Sequence, residues 1–223
     1  MICFACLSPH PPLILPTVGS QSDREKVKNT INALEKLAPE LAKTKPDLLI
    51  ISSPHPDWGI QVPLFFLLSK IEGKLKIKNY QSPDRTSFSF EESSSVYPIL
   101  TTLDSAQQHF EWGKEIAASL PKEKRVAWIA SGDMSHCLRK DGSYGFRPEG
   151  PKYDRQFIDL LKKKDLKGIL NLDPRLVEEA GECGLRSFCL LLGVLEKTKT
   201  NWQPKILSYE GPFGVGYLVS RLI

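Results

Sequence analysis

The residues best suited to do chemistry in this chain are histidines. Three of its four histidines, His10, His55 and His136, stand just beyond strand-like apolar runs. Asp47-Leu48-Leu49-Ile50-Ile51 reads as a strand entering a core and leads into Ser53-Pro54-His55-Pro56. The same tetrapeptide, Ser8-Pro9-His10-Pro11, follows the run at residues 2–7. A third run, residues 125–130, leads into Ser131-Gly132-Asp133-Met134-Ser135-His136. Neutral imidazole is a common metal ligand and a general base near neutral pH. Two imidazoles at one place need a third group to hold a metal. A carboxylate would complete a face of two histidines and one carboxylate, which leaves positions open for substrate and dioxygen on Fe(II). Glu178-Glu179-Ala180-Gly181-Glu182-Cys183-Gly184 offers candidates ahead of the apolar stretch 185–195. A carboxylate there is costly to desolvate without a partner, and a metal would be such a partner. Structural roles fit the same residues. The glutamates suit the start of a helix, Asp133 can cap its own turn, and one histidine at a strand end can be a satisfied loop residue. Spacing alone gives a candidate metal site with its reaction open.

The elements that must position these groups alternate between strand and helix. After the strand at 2–7 comes a Pro/Gly/Ser loop at 11–21. Ser22 or Asp23 then caps a helix to about Thr44, with Val27, Ile31, Leu34, Leu37 and Leu41 on one face. Pro39 predicts a break in it. Strand, helix, strand is a βαβ unit, so the strands before His10 and His55 are expected to be parallel, with both histidines on one sheet edge. Ligands of open α/β sheets sit beyond the carboxyl ends of the strands. Residues 61–68 fit a strand or a short helix, 75–80 and 96–103 fit strands, and 82–95 a loop. Ser105 caps a helix to Leu120. Helices are expected at 152–164, 165–171 and 174–196, the last interrupted around Ala180-Gly181, and strands at 205–209 and 216–222. The glycines of Glu210-Gly211-Pro212-Phe213-Gly214 precede no helix, so they are no dinucleotide fingerprint. The expected fold class is α/β: a single domain over residues 1–223, with a central, mostly parallel β-sheet flanked by helices on both faces.

Composition narrows the classes. A chain of 223 residues with 41% hydrophobic and 25% charged residues suits one globular domain. A net charge of +4 is too small to argue for nucleic acid, and the lysine-rich stretches 70–78 and 162–167 read as solvated faces. No secretory leader and no membrane span are expected. Five cysteines, an odd number, fit a reducing cytoplasm. Cys3 and Cys6 lack the second pair a zinc site needs, so they read as packing residues.

Taken together, Ser8-Pro9-His10-Pro11-Pro12, Ser53-Pro54-His55, Ser131-Gly132-Asp133-Met134-Ser135-His136, Glu179-Ala180-Gly181-Glu182-Cys183-Gly184-Leu185-Arg186 and Glu210-Gly211-Pro212-Phe213-Gly214-Val215-Gly216-Tyr217 resemble class III extradiol ring-cleavage dioxygenases of the catalytic LigB type, the type of the protocatechuate 4,5-dioxygenase β chain. The resemblance is strongest to the branch associated with AMMECR1-like and Memo-like proteins, and it keeps motif order along nearly the whole chain. It implies a non-heme Fe(II) enzyme that cleaves a catechol-like aromatic with dioxygen, in aromatic compound catabolism. His10 and His55 match its histidine ligands and His136 its acid/base histidine. Glu182 matches the third ligand of the dioxygenases, and Cys183 the cysteine that Memo-like relatives carry. A homo-oligomer or association with an AMMECR1-like protein is also implied. The chain departs from the pattern at one point. The family's Asp-His-Gly segment, whose histidine contacts substrate, should fall at about 90–107, where this chain has Glu91-Glu92-Ser93-Ser94-Ser95-Val96-Tyr97-Pro98-Ile99-Leu100. Two alternatives follow: a Memo-like metal-binding or redox module without ring cleavage, and a hydrolase in which Zn(II), or another divalent transition metal, activates water.

Overall fold

The computed structural model describes residues 1–71 and 96–223. The expected strand at 75–80 and loop at 82–95 therefore lie outside the described residues. The elements in chain order are β1 (Ile2–Ser8), α1 (Gln21–Lys26), α2 (Lys28–Thr44), β2 (Leu48–Ser53), α3 (Trp58–Leu67), β3 (Val96–Leu100), α4 (Ala106–Ser119), β4 (Val126–Ser131), α5 (Glu149–Lys163), α6 (Leu166–Leu170), α7 (Pro174–Ala180), α8 (Leu185–Lys197), β5 (Lys205–Glu210) and β6 (Tyr217–Arg221), with a 3-10 turn at Pro12–Ile14.

The strands form one sheet in the order β3-β2-β4-β1-β6-β5. The first four run parallel, β6 is antiparallel to β1, and β5 antiparallel to β6. Side chains of a strand alternate between faces, and the parallel strands here are apolar on both. Leu7, Ile50, Trp128 and Ala130 face a core shared with Phe110 of α4, Phe157 of α5 and Leu190 of α8. Cys6, Leu49, Ile51 and Ile129 face a second core with Ile31, Leu34 and Leu37 of α2 and Val62 of α3. This is the α/β architecture expected from the sequence: one mostly parallel sheet with helices on both faces. Among the described residues no helix is long and apolar enough to cross a membrane.

Several local readings are corrected. The first helix is capped by Ser20, whose hydroxyl accepts the Asp23 N–H at 3.1 Å, and not by Ser22 or Asp23. The chain turns at Val27, fully buried, before α2 begins. Pro39 does not break α2, which runs to Thr44. Proline there frees only the carbonyl of Glu35, an exposed position where water can serve it, while Leu34, Leu37 and Leu41 stay on the buried face. Residues 61–68 belong to the helix α3, started by Asp57, whose carboxylate accepts the Trp58 N–H.

Strand order matters most for the site. β1 and β2 are parallel, as the βαβ reading requires, but β4 lies between them and pairs with both. The segment that follows β4 therefore emerges between the segments carrying His10 and His55. Helix α8 is tied to the same region. The Ser187 hydroxyl donates to the Ser52 carbonyl at 2.9 Å, and the Trp128 indole N–H donates to the Ser52 hydroxyl at 3.1 Å.

Candidate metal centre

His10 follows β1 directly and is buried, with 5% of its surface exposed. Its backbone N–H donates to Asp133 Oδ1 at 2.9 Å. Its ring Nδ1 lies 2.9 Å from the Ser131 hydroxyl, and that hydroxyl spends its one proton on the Gly59 carbonyl. Ser131 can therefore only accept from the ring, so Nδ1 carries the proton and Nε2 keeps its lone pair. Burial lowers the His10 pKa, against Asp133, which raises it, and with a smaller lowering by His55. Neutral, with Nε2 free, is the form that binds metal.

His55 lies at the open side of the cluster. Its backbone N–H donates to the Ser53 hydroxyl at 3.1 Å. Its ring centroid is 5.2 Å from that of His10, with the planes at 80°. The repeated tetrapeptides thus end in two adjacent, edge-on imidazoles.

Cys183 comes from the turn between α7 and α8. Gly181, at φ +62°, ends α7 in the left-handed conformation that glycine adopts without penalty. The turn then lies against the segment after β4. The Gly184 N–H donates to the Asp133 carbonyl at 3.0 Å, and the Asp133 N–H points to Cys183 Sγ at 3.3 Å. The two backbones are so close that a Cβ on Gly132 would stand 2.1 Å from Gly184 Cα. Cys183 Sγ is thereby held 3.6 Å from His10 Nε2. Burial, with Asp133 adding to it, pushes the thiol well above its ordinary value, so it needs a cation to become a thiolate.

The ligating atoms of His10, His55 and Cys183 all lie within 4.8 Å of one another. A metal bonded at about 2.1 Å to nitrogen and about 2.3 Å to sulfur separates two such donors by roughly 3–3.6 Å, which the His10–Cys183 spacing matches. Glu182 is not brought into this group. Its Oε2 accepts the Leu185 N–H at 2.6 Å, serving one of the free amides at the start of α8. Burial raises its pKa to about 7, against that hydrogen bond.

His136 stands on the same edge. Its backbone N–H donates to the Ala180 carbonyl at 3.0 Å, and its ring lies 5.0 Å from that of Tyr144. Burial lowers its pKa. Its Nε2 is buried with no hydrogen-bond partner. The ligating atoms of Asp133, His136 and Cys183 also lie within 4.8 Å of one another. Asp133 does not cap its own turn. It receives the His10 N–H on Oδ1, while Oδ2 lies 3.8 Å from His10 Nε2. His109 is apart from this cluster, buried at the start of α4, where its Nε2 accepts the Thr102 N–H at 3.1 Å.

Sequence reasoning missed two supporting groups. Ser131 was visible only as part of a motif, yet it fixes the tautomer of His10. Asp154 is fully buried on α5 and accepts the Ser135 N–H at 2.8 Å and the Tyr209 hydroxyl at 2.5 Å. It ties the segment between Asp133 and His136 to α5 and β5. Burial, opposed by these hydrogen bonds, raises its pKa to about 6. Its signal was helical spacing: position 154 shares the face of Phe157, Ile158 and Leu161.

Comparison with known families bears on this geometry. The family described as the catalytic LigB subunit of aromatic ring-opening dioxygenase matches residues 55–220. The chain belongs to this family. The matched stretch holds His55, His136, Glu182 and Cys183, and His10 precedes it. A relative in Clostridium acetobutylicum, Protein CA_C1420, is 29% identical over 268 residues that take in 97% of this chain. The chain spans 56% of the length of that curated relative. The crystal structure of the uncharacterized protein JW3007 from Escherichia coli K12 superposes with a TM-score of 0.56 at 17% identity, covering 99% of each chain, and shares the fold. The LigB family is a dioxygenase family, so the chain has the fold of an extradiol dioxygenase and, among the described residues, donor groups for a metal.

Proposed function

We propose that this chain is a non-heme Fe(II)-dependent dioxygenase that opens a catecholic ring with dioxygen, with His10, His55 and Cys183 holding the metal and His136 moving protons. The observation that carries the reading is the convergence of the three donor atoms within 4.8 Å at the carboxyl edge of the sheet of a LigB-family chain. The bound metal would supply the redox chemistry that joins dioxygen to the ring. The protein's own groups do the rest. Ser131 presents the His10 lone pair to the metal. His55, on the open side, leaves room for a substrate to approach. The unpartnered Nε2 of His136 can take a proton from a substrate hydroxyl and return it.

Two observations favour a second reading, a Memo-like metal-binding or redox module. The donor beside the histidines is sulfur, and no histidine occurs at residues 90–107 to contact a substrate.

The test is reconstitution with Fe(II) under anaerobic conditions, followed by a catechol panel with dioxygen uptake measured. Metal content should fall sharply in His55→Ala and Cys183→Ala and stay near wild type in Glu182→Ala. His136→Ala should retain iron and lose turnover by roughly 10²–10⁴-fold. Bound iron without turnover on any catechol would discard the dioxygenase and leave the Memo-like module. Loss of iron in Glu182→Ala, with Cys183→Ala unaffected, would reassign the third ligand.

A further inference from the structure

We propose that Asp133, His136 and Cys183 form a second, inhibitory divalent-metal site that shares the Cys183 sulfur with the His10–His55 site. The proposal rests on the function proposed above and names a regulation of that site. The ligating atoms of the two groups form two triads, each with all members within 4.8 Å of one another, and Cys183 is the one residue common to both. A thiolate has lone pairs enough to bridge two ions, and paired metal sites place their ions about 3.5–4 Å apart. Carboxylate, imidazole and thiolate together are a donor set suited to zinc-like borderline ions.

Two side-chain atoms in the second triad lack the partners that burial ordinarily demands. His136 Nε2 is buried and makes no hydrogen bond. Asp133 places Oδ1 on the His10 N–H, which leaves Oδ2 facing His10 Nε2 at 3.8 Å, beyond hydrogen-bond length. Buried polar atoms without partners are uncommon and call for an explanation such as an ion. The approach from solvent runs beside Tyr144, which is 59% exposed and stacks at 5.0 Å from the His136 ring.

The consequence follows from the lone-pair count. One ion on His10, His55 and Cys183 leaves His136 free to accept a proton. A second ion on Asp133, His136 and Cys183 consumes that lone pair, so the chain holds more metal and loses its base. Metal supply would then switch the site on at one equivalent and off at two.

The experiment is a titration of chelator-stripped protein with Co(II) under anaerobic conditions. Thiolate-to-cobalt absorption and metal per chain after desalting are both read. Wild type should take up two equivalents, and His55→Ala and His136→Ala one each. Asp133→Asn, which preserves the acceptor for the His10 N–H, should also lose the second equivalent and guards against a folding defect in His136→Ala. A wild type that stops at one equivalent, lost in His55→Ala and kept in His136→Ala, overturns the second site and leaves the proposed function standing. One equivalent lost in His136→Ala and kept in His55→Ala overturns both.

Discussion

Ser131→Ala tests how the protein prepares His10. In the wild type the Ser131 hydroxyl sits 2.9 Å from His10 Nδ1 and donates to the Gly59 carbonyl, all in a buried setting. Alanine removes the acceptor for Nδ1–H, so the tautomer that offers Nε2 to a metal loses its advantage. It also removes the donor to Gly59, which loosens the start of α3. A hydrogen-bond partner behind a ligating histidine is worth about 10–100-fold in metal affinity, or roughly 1.4–2.7 kcal/mol at 1.36 kcal/mol per tenfold. Each orphaned buried group costs a further 1–3 kcal/mol, by order of magnitude, in fold stability. Metal affinity is read by competition with a chromophoric chelator, using Zn(II) and Fe(II), and stability by urea unfolding of the metal-free protein. The expected result is a 10–100-fold weaker affinity together with a lower unfolding midpoint. Affinity equal to wild type in a folded Ser131→Ala protein would refute the tautomer argument, because nothing else in the structure would then hold the lone pair on Nε2.

Two other perturbations probe the supports of the site. Gly132→Ala would put a Cβ 2.1 Å from Gly184 Cα, with backbone on both sides. The crossing that sets Cys183 must then open, costing about 1–3 kcal/mol and most of the bound metal; an unshifted melting temperature with full metal content would contradict it. Asp154 is a carboxyl whose pKa is raised from 3.8 to about 6. A raised carboxyl favours the folded state below the unfolded value, and that advantage is lost as pH climbs through the folded value. Wild type should therefore lose about 3 kcal/mol relative to Asp154→Asn between about pH 4 and pH 6. Parallel stability curves for the two proteins would mean that Asp154 does not titrate as its burial requires.

The parts of the fold legible in the sequence were those written in local pattern. The continuous apolar runs of β1, β2 and β4 announced strands buried on both faces, and Ser105 announced α4. What was hidden depends on contacts between distant segments. The helix that starts at Leu185 needs an acceptor for its free amides, and Glu182, three residues earlier, supplies it. Residue type alone recommends the carboxylate as a metal ligand. The competition with a helix start becomes visible only once the turn is built. Asp154 was hidden for a related reason: its partners, Ser135 and Tyr209, lie far from it in sequence.

Strand order carries the same lesson into the chemistry. Nothing in a βαβ unit says whether a later strand will insert between its two members. Had β1 and β2 been neighbours, His10 and His55 would have met with no third segment between them. With β4 inserted, the backbone of Gly132 and Asp133 runs between the two histidines' strands, and three functions follow from that one placement. The Ser131 hydroxyl reaches His10 Nδ1, the Asp133 carboxylate takes the His10 N–H, and the Asp133 carbonyl and N–H together grip the Cys183 turn. The central strand thus supplies few donors to the first triad but sets the position of two of its three members. Substitutions after β4 are therefore expected to weaken metal binding more than their own contacts with the metal would suggest.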